Sequence, residues 1–225
     1  MDIVWELDTP IIDCPLNDTT WHNHQYRILF KLPVDNDTNY KGTNDIEVHY
    51  GSGKYRYQNI QVKINKPYPQ ISKAKDDLQT VGVLKNLANT RAGELRAVLQ
   101  YVYQSVVADS VEEEIASIFE EIGINEMMHL DMLMHAITEF GGIPEYNDSQ
   151  RNAFNSNFVN YTTNLNEMLD NNIQGESLAI ENYKQAIMRV ENQSLKDLFA
   201  RIIEDEEQHI KAFKKIRDSV QFMSV

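Results

Sequence analysis

Leu195, Phe199, Ile202, Glu206, His209, Phe213, Ile216 and Val220 follow one another at alternating intervals of four and three residues. That spacing puts all eight on one stripe of an α-helix, the stripe that faces a core. Every position is apolar except the two in the middle. Ile115, Phe119, Ile122, Glu126, His129, Leu133, Ala136 and Phe140 repeat the pattern position for position, eighty residues earlier. No other feature constrains the fold as tightly: two long helices must each bury a Glu-x-x-His pair between apolar neighbours.

Two further segments correspond in the same way. "GELRAVLQY" (93–101) aligns with "GESLAIENY" (175–183), with Gly, Glu, Ala and Tyr in register. On the first, Leu87, Glu94, Val98 and Tyr101 keep the core spacing; on the second, Leu169, Glu176, Ile180 and Tyr183 do. The chain therefore reads as two copies of one helical hairpin, an internal repeat that periodicity alone does not demand.

The spacing predicts four helical segments, 74–107, 110–140, 163–190 and 194–222. Ser110 with Glu113 fits a capping box at the second, and Ser194 with Asp197 a looser one at the fourth. Gly141-Gly142 followed by Pro144 should end the second segment. Short connections join the first helix to the second and the third to the fourth. Between these hairpins lies "GGIPEYNDSQRNAFNSNFVNYT", which at roughly 3.3 Å per extended residue can run the length of a bundle helix. Two hairpins joined by one long crossover make the ferritin-like form of the four-helix bundle.

Composition changes near residue 67. Ahead of it, "YRILFKL" and "IEVHYGSGKYRYQNIQVKI" are rich in aromatic and β-branched residues, and the latter reads as a hairpin about Gly51-Ser52-Gly53. The expected organisation is mainly α: a small β-rich N-terminal region over 1–66 and the bundle over 67–225. "NKPYPQ", whose prolines disfavour helix, marks the junction.

The net charge of −13 argues against nucleic acid or an anionic membrane surface as partner. A single cysteine, Cys14, allows no intrachain disulfide and no four-cysteine iron site. An acidic start without an apolar core is no signal peptide, and nowhere do eighteen apolar residues run together, so a cytoplasmic protein, or one within a spore or other intracellular assembly, is expected.

A lone glutamate on an apolar stripe is ordinarily a boundary residue whose head reaches water. Six such residues together are another matter. Burying Glu94, Glu126, Glu176, Glu206, His129 and His209 without a cation would cost several kcal/mol per charge. Two divalent cations supply the charge that four carboxylates lack, with neutral imidazoles as nitrogen ligands. One Glu from each of two helices and Glu-x-x-His from each of the others is a recurring dimetal arrangement in bundles.

At these residues the chain resembles the ferritin-like superfamily, and within it the manganese catalases and their spore-coat relatives. "PYPQ", "AGELRAVLQY", "EEIGINEMMHLDM" and "NNIQGESLAIENY" carry the similarity. The resemblance implies Glu94, Glu126, His129, Glu176 and His209 as ligands, with Glu126 and Glu176 as bridges. It leaves Glu206 either a ligand, as in ferritin and rubrerythrin relatives, or a proton acceptor outside the metals, as in manganese catalases. Tyr101 would match a tyrosine next to the first glutamate that hydrogen-bonds a ligand carboxylate, and Tyr183 would be its repeat-related partner or a core residue. The implied chemistry is disproportionation of hydrogen peroxide by two manganese ions, with Glu206 and Tyr101 as catalytic groups. Di-iron ferroxidase or peroxidase activity on dioxygen or peroxide is the alternative, and a structural coat-type bundle the third. Homo-oligomers are expected by the same analogy. Oxygen-rich ligands with imidazole suit manganese and iron alike.

Other features receive blander readings. His22 and His24 suit an exposed strand, and His49 and His135 carry no role. The methionines of "EMMHLDMLMH" fill gaps. Glu112, Glu113 and Glu114 favour a helix dipole. Glu204, Asp205 and Glu207 are expected to flank the stripe and solvate the helix.

Overall fold

A computed structural model describes residues 60–71, 76–110 and 112–221. The β-rich segment expected over 1–66 lies outside these, hairpin included, apart from 60–66, which are irregular and form no strand. Five α-helices follow: α1 (Leu78–Asn89), α2 (Glu94–Asp109), α3 (Glu113–Glu139), α4 (Leu165–Arg189) and α5 (Gln193–Gln221). The four long ones form a ferritin-like helical bundle, α2 packed along α3 and α4 along α5. No described helix is long and apolar enough to cross a membrane.

The first helix, expected as one piece over 74–107, is two. Asp77 caps α1 by accepting from the Gln79 and Thr80 backbone N–H groups. At the other end Asn89 is buried and its amide donates to the carbonyls of Glu145 and Asn147, tying the α1 terminus to the crossover. The chain then turns through Thr90–Gly93. A Cβ on Gly93 would stand 2.5 Å from the Leu87 carbonyl oxygen, so only glycine allows this approach. Glu94 consequently begins a helix rather than occupying the middle of one.

Two expected caps also differ. Ser110 belongs to the end of α2, where its hydroxyl donates to the Val107 carbonyl, and Glu112 is the N-cap of α3. At α5, Asn192 takes the capping role instead of Ser194, accepting from Leu195 N–H at 3.1 Å. The stop after α3 is as expected: Gly141 takes φ +81°, its N–H donates to Thr138 and that of Gly142 to Ile137. Those paired bonds are a Schellman motif, and the positive φ is what glycine permits.

The stripes point inward. Ile115, Phe119, Ile122, Leu133, Ala136 and Phe140 of α3 are buried, as are Leu195, Phe199, Ile202, Phe213 and Ile216 of α5. Their side chains divide into two apolar layers. One gathers Leu133, Ile137, Phe199 and Ile202 with Leu84 of α1. The other gathers Phe119, Ile122, Leu169, Phe213 and Ile216. The polar middles of the stripes lie between the layers, which keep bulk water from them along the bundle axis.

A second polar element joins the hairpins. Gln100 and Gln104 of α2 donate to Asn172 Oδ1 of α4 at 2.8 and 3.1 Å, and Asn172 Nδ2 returns a bond to Gln104 Oε1 at 2.7 Å. Gln100 Oε1 also accepts from Asn160 N–H of the crossover. All three side chains are buried, so each bond replaces one made to water and fixes how α2 meets α4.

Candidate metal centre

The helices bring all six expected residues together. Glu94 comes from the first turn of α2, Glu126 and His129 from α3, Glu176 from α4, and Glu206 and His209 from α5. None is more than 3% exposed. Their ligand atoms form two groups, each within 4.8 Å: Glu94, Glu126, His129 and Glu206, and Glu126, Glu176, Glu206 and His209. Glu126 and Glu206 stand in both. Glu176, expected with Glu126 to be a bridge, stands in one group only.

Both histidines turn Nδ1 to the centre. His209 Nδ1 lies 2.9 Å from Glu126 Oε1 and 2.9 Å from Glu206 Oε2. His129 Nδ1 lies 3.2 Å from Glu206 Oε1 and 3.4 Å from Glu126 Oε2. Each ring nitrogen has at most one proton for two carboxylates. Glu126 Oε1 and Glu206 Oε1 accordingly find no well-formed hydrogen bond among the described residues, although both are fully enclosed. Buried carboxylate oxygens of this kind are costly unless a cation meets them.

Proton affinities express the same demand. Burial, then repulsion from Glu126 and Glu206, pushes the Glu94 and Glu176 carboxyls well above the usual range. Burial would also raise Glu126, but the His209 charge and hydrogen bonds from both histidines outweigh it and hold it well below. Burial would lower the histidines; against it, the Glu126 carboxylate and its hydrogen bond raise His209 to about 10. Tyr68, Glu206 and Asp205 likewise raise His129 well above its ordinary value. Protons here stand where cations would. Four carboxylates and two imidazoles, oxygen-rich with one nitrogen per half, fit a pair of divalent manganese or iron ions.

The tyrosines are crossed between hairpins. Tyr101 of α2 donates to Glu176 of α4, and Tyr183 of α4 donates to Glu94 of α2. Tyr101, expected to hydrogen-bond a ligand carboxylate, bonds to Glu176, the repeat-related counterpart of Glu94. The docking of α2 against α4 brings each phenol to the opposite partner. Both tyrosines are 0–1% exposed, and Tyr183 is the repeat-related partner of Tyr101 rather than a bare core residue.

Four neighbours, Asp205, Tyr68, Arg201 and Asn125, were not foreseen. Asp205, expected to solvate α5, is 0% exposed. Its Oδ2 accepts from Tyr68 OH at 2.5 Å, pairs with Arg201 Nη1 at 2.8 Å and lies 3.3 Å from His129 Nε2. Burial would raise this carboxyl, but the His129 bond and charge, Ile64 N–H and Tyr68 hold it far below the usual range. Burial and Asp205 in turn push the Tyr68 hydroxyl up to about 12. Asn125 completes the group, donating to Tyr68 OH at 3.0 Å. One signal was available: Leu198, Arg201, Asp205 and Ala212 form a second row beside the main stripe of α5. His135 is exposed and lies 3.6 Å from Asp131.

A sequence model of the Rubrerythrin family matches residues 85–217, more than half of the chain and all six residues of the centre. The chain belongs to the rubrerythrin family. Solved structures agree with this placement in the ferritin-like superfamily. KatB, a manganese catalase from Anabaena, has 24% identity and a TM-score of 0.64, over 70% of this chain and 80% of that one. The bacterioferritin of Desulfovibrio desulfuricans, whose structure shows a diiron site, has 26% identity and a TM-score of 0.55, over 63% and 80%. A bacterioferritin from Rhodobacter capsulatus has 22% identity and a TM-score of 0.57, over 66% and 89%. No curated protein matches. Within the rubrerythrin family, then, this chain keeps a complete carboxylate–histidine cluster on a fold similar to both manganese and iron proteins.

Proposed function

We propose that this protein is a dimetal oxidoreductase that disproportionates hydrogen peroxide to water and dioxygen. The observation that carries the dimetal part of this reading is the presence of Glu126 and Glu206 in both ligand groups, and the resemblance to manganese catalases supplies the reaction. Two ions held there would be adjacent and act as one pair. Glu94, Glu126, Glu206 and His129 would hold one, and Glu126, Glu176, Glu206 and His209 the other. When bound, the pair supplies a two-electron couple, so one peroxide can serve as oxidant and the next as reductant.

The protein's own groups set the conditions. The apolar layers around Leu133 and Ile202 on one side and Phe119 and Phe213 on the other exclude water and strengthen every electrostatic interaction between them. Tyr101 and Tyr183 fix the orientation of Glu176 and Glu94 through their hydroxyls. Peroxide loses protons in one half of the cycle and gains them in the other, 2 H2O2 giving 2 H2O and O2 without a net change. Glu206 turns one oxygen toward each histidine; it would hold a proton between the halves only with an oxygen free of both ions, the role that the resemblance to manganese catalases implies.

A second reading, iron-based oxidation of ferrous ion or reduction of peroxide, is favoured by one observation. Glu206 stands inside both groups instead of outside them, as a ligand would. Metal analysis with a peroxide assay separates the two. Two manganese ions per chain with oxygen evolution support disproportionation. Iron without oxygen release, consuming ferrous ion instead, refutes it.

A further inference from the structure

The internal repeat makes Asn125 and Asp205 equivalent: each is the residue before the glutamate of its stripe. In a symmetric centre each would back one histidine. Both converge instead on the same one. His129 Nε2 has Asn125 Nδ2 at 3.0 Å, Asp205 Oδ2 at 3.3 Å and Tyr68 OH at 3.4 Å. His209 Nε2 is equally enclosed and finds no hydrogen-bond partner among the described residues.

We infer that the two halves of the centre bind their cations unequally, the His129 half filling first and the His209 half second, with Asp205 the positioning residue that makes the difference. This rests on the reading of the cluster as a dimetal site. With Nδ1 turned to a cation, the proton of a neutral imidazole sits on Nε2. At His129 that proton goes to the anionic Asp205 Oδ2, with the Asn125 amide turned so that Oδ1 and not the NH2 group faces Nε2. That amide oxygen has no other partner among the described residues. The arrangement fixes the tautomer and ring plane and makes Nδ1 a stronger donor to a metal. At His209 the same proton is buried with no acceptor among the described residues, so metal binding there gains none of this and leaves a donor unsatisfied.

Asp205 is itself held from several sides. Ile64 N–H donates to Oδ1 at 2.7 Å, and Arg201 pairs with Oδ2. Arg201 donates in turn to the carbonyls of Ile64 and Lys66, and its guanidinium lies over the Tyr68 ring. The segment 60–68 thus serves one half of the centre only. It crosses α5 beside His129, with Gln208 donating to Gln61 O as a further tie.

The test is a titration of the metal-free full chain with manganous ion, following free ion by electron paramagnetic resonance and heat by calorimetry. Wild type should show two steps at least about tenfold apart, since an outer-shell partner of a ligand histidine typically governs 10–100-fold in affinity. Asp205→Asn, nearly isosteric, should weaken the first step by about that factor and leave the second within about threefold. A general loss of stability would weaken both alike. Should that variant fail to fold, as judged by circular dichroism, two histidine variants decide the matter. His209→Gln should keep the first step, and His129→Gln should lose it. Two equal or cooperative sites in wild type, or the reverse behaviour of the histidine variants, would overturn the inference. No binding of manganese or ferrous ion at all would overturn the dimetal reading with it. Unequal steps without oxygen evolution would refute only the proposed disproportionation.

Discussion

Loading the centre with divalent metal should release protons, and their number follows from the groups that face it. In the metal-free protein His209 titrates at about 10 and His129 well above its usual value, so both are charged at neutral pH. Glu94 and Glu176 are pushed up as well. A metal takes imidazole and carboxylate in their deprotonated forms, so binding must displace these protons. The two histidines set a floor of about two protons per loaded chain, and the carboxyls raise the ceiling to about four. Each proton released makes the binding constant rise about tenfold per pH unit, or about 1.4 kcal/mol. Affinity should therefore climb steeply between pH 6 and 8. Stability without metal runs the opposite way. A group whose folded value is raised contributes stability below its unfolded value and loses it as pH rises through the folded one. For His209 that window extends from about 6.5 to about 10, so the metal-free protein weakens toward alkaline pH while the loaded one does not. The assay is calorimetric titration with manganous ion in buffers of differing ionisation enthalpy, with thermal unfolding across the same range. Release of fewer than about two protons, or affinity flat between pH 6 and 8, would refute the reasoning.

Sharing of carboxylates makes a distinct prediction: Glu126→Ala should abolish binding of both ions, whereas Glu176→Ala should spare the His129 half, as elemental analysis of the purified variants would show. Phe213→Ala should destabilise the metal-free protein by about 3–5 kcal/mol in denaturant unfolding, because this 0% exposed ring packs 5.6 Å from Tyr101 and 6.0 Å from Phe119. Gly93→Ala should cost roughly 1–3 kcal/mol and lower metal affinity with it, since the new methyl meets the α1 backbone and displaces the turn that carries Glu94. Equal stability and equal affinity in that variant would show the break between α1 and α2 to be unimportant to the centre.

The stripes of α3 and α5 were legible because helix periodicity is local: given the backbone angles, spacing alone puts Glu126, His129, Glu206 and His209 on the faces that carry Phe119 and Phe213. The same holds for Glu94 and Glu176, and the repeat explains why both pairs occur. Chain order and the long crossover were enough to expect a bundle. Local pattern could not reveal the break before Glu94, because glycine is tolerated within helices and this one matters only for its approach to the Leu87 carbonyl. Nor could it reveal Asp205. That carboxylate is rotated away from the main stripe and becomes interior only when Arg201, Tyr68 and the segment from Ile64 close over it.

The sequence by itself determined which six side chains look inward, since a face of a helix is a property of neighbours three and four residues apart. Tertiary structure decided what each one meets. Docking of one hairpin on the other crossed the tyrosines, Tyr101 to Glu176 and Tyr183 to Glu94, and put Glu126 and Glu206 in both groups of candidate ligands. It also turned a repeat of equivalent halves into an unequal pair, backing His129 and leaving Nε2 of His209 with no partner among the described residues. Those relations join residues dozens of positions apart, and their energies depend on burial and angle, which arise only when the helices pack.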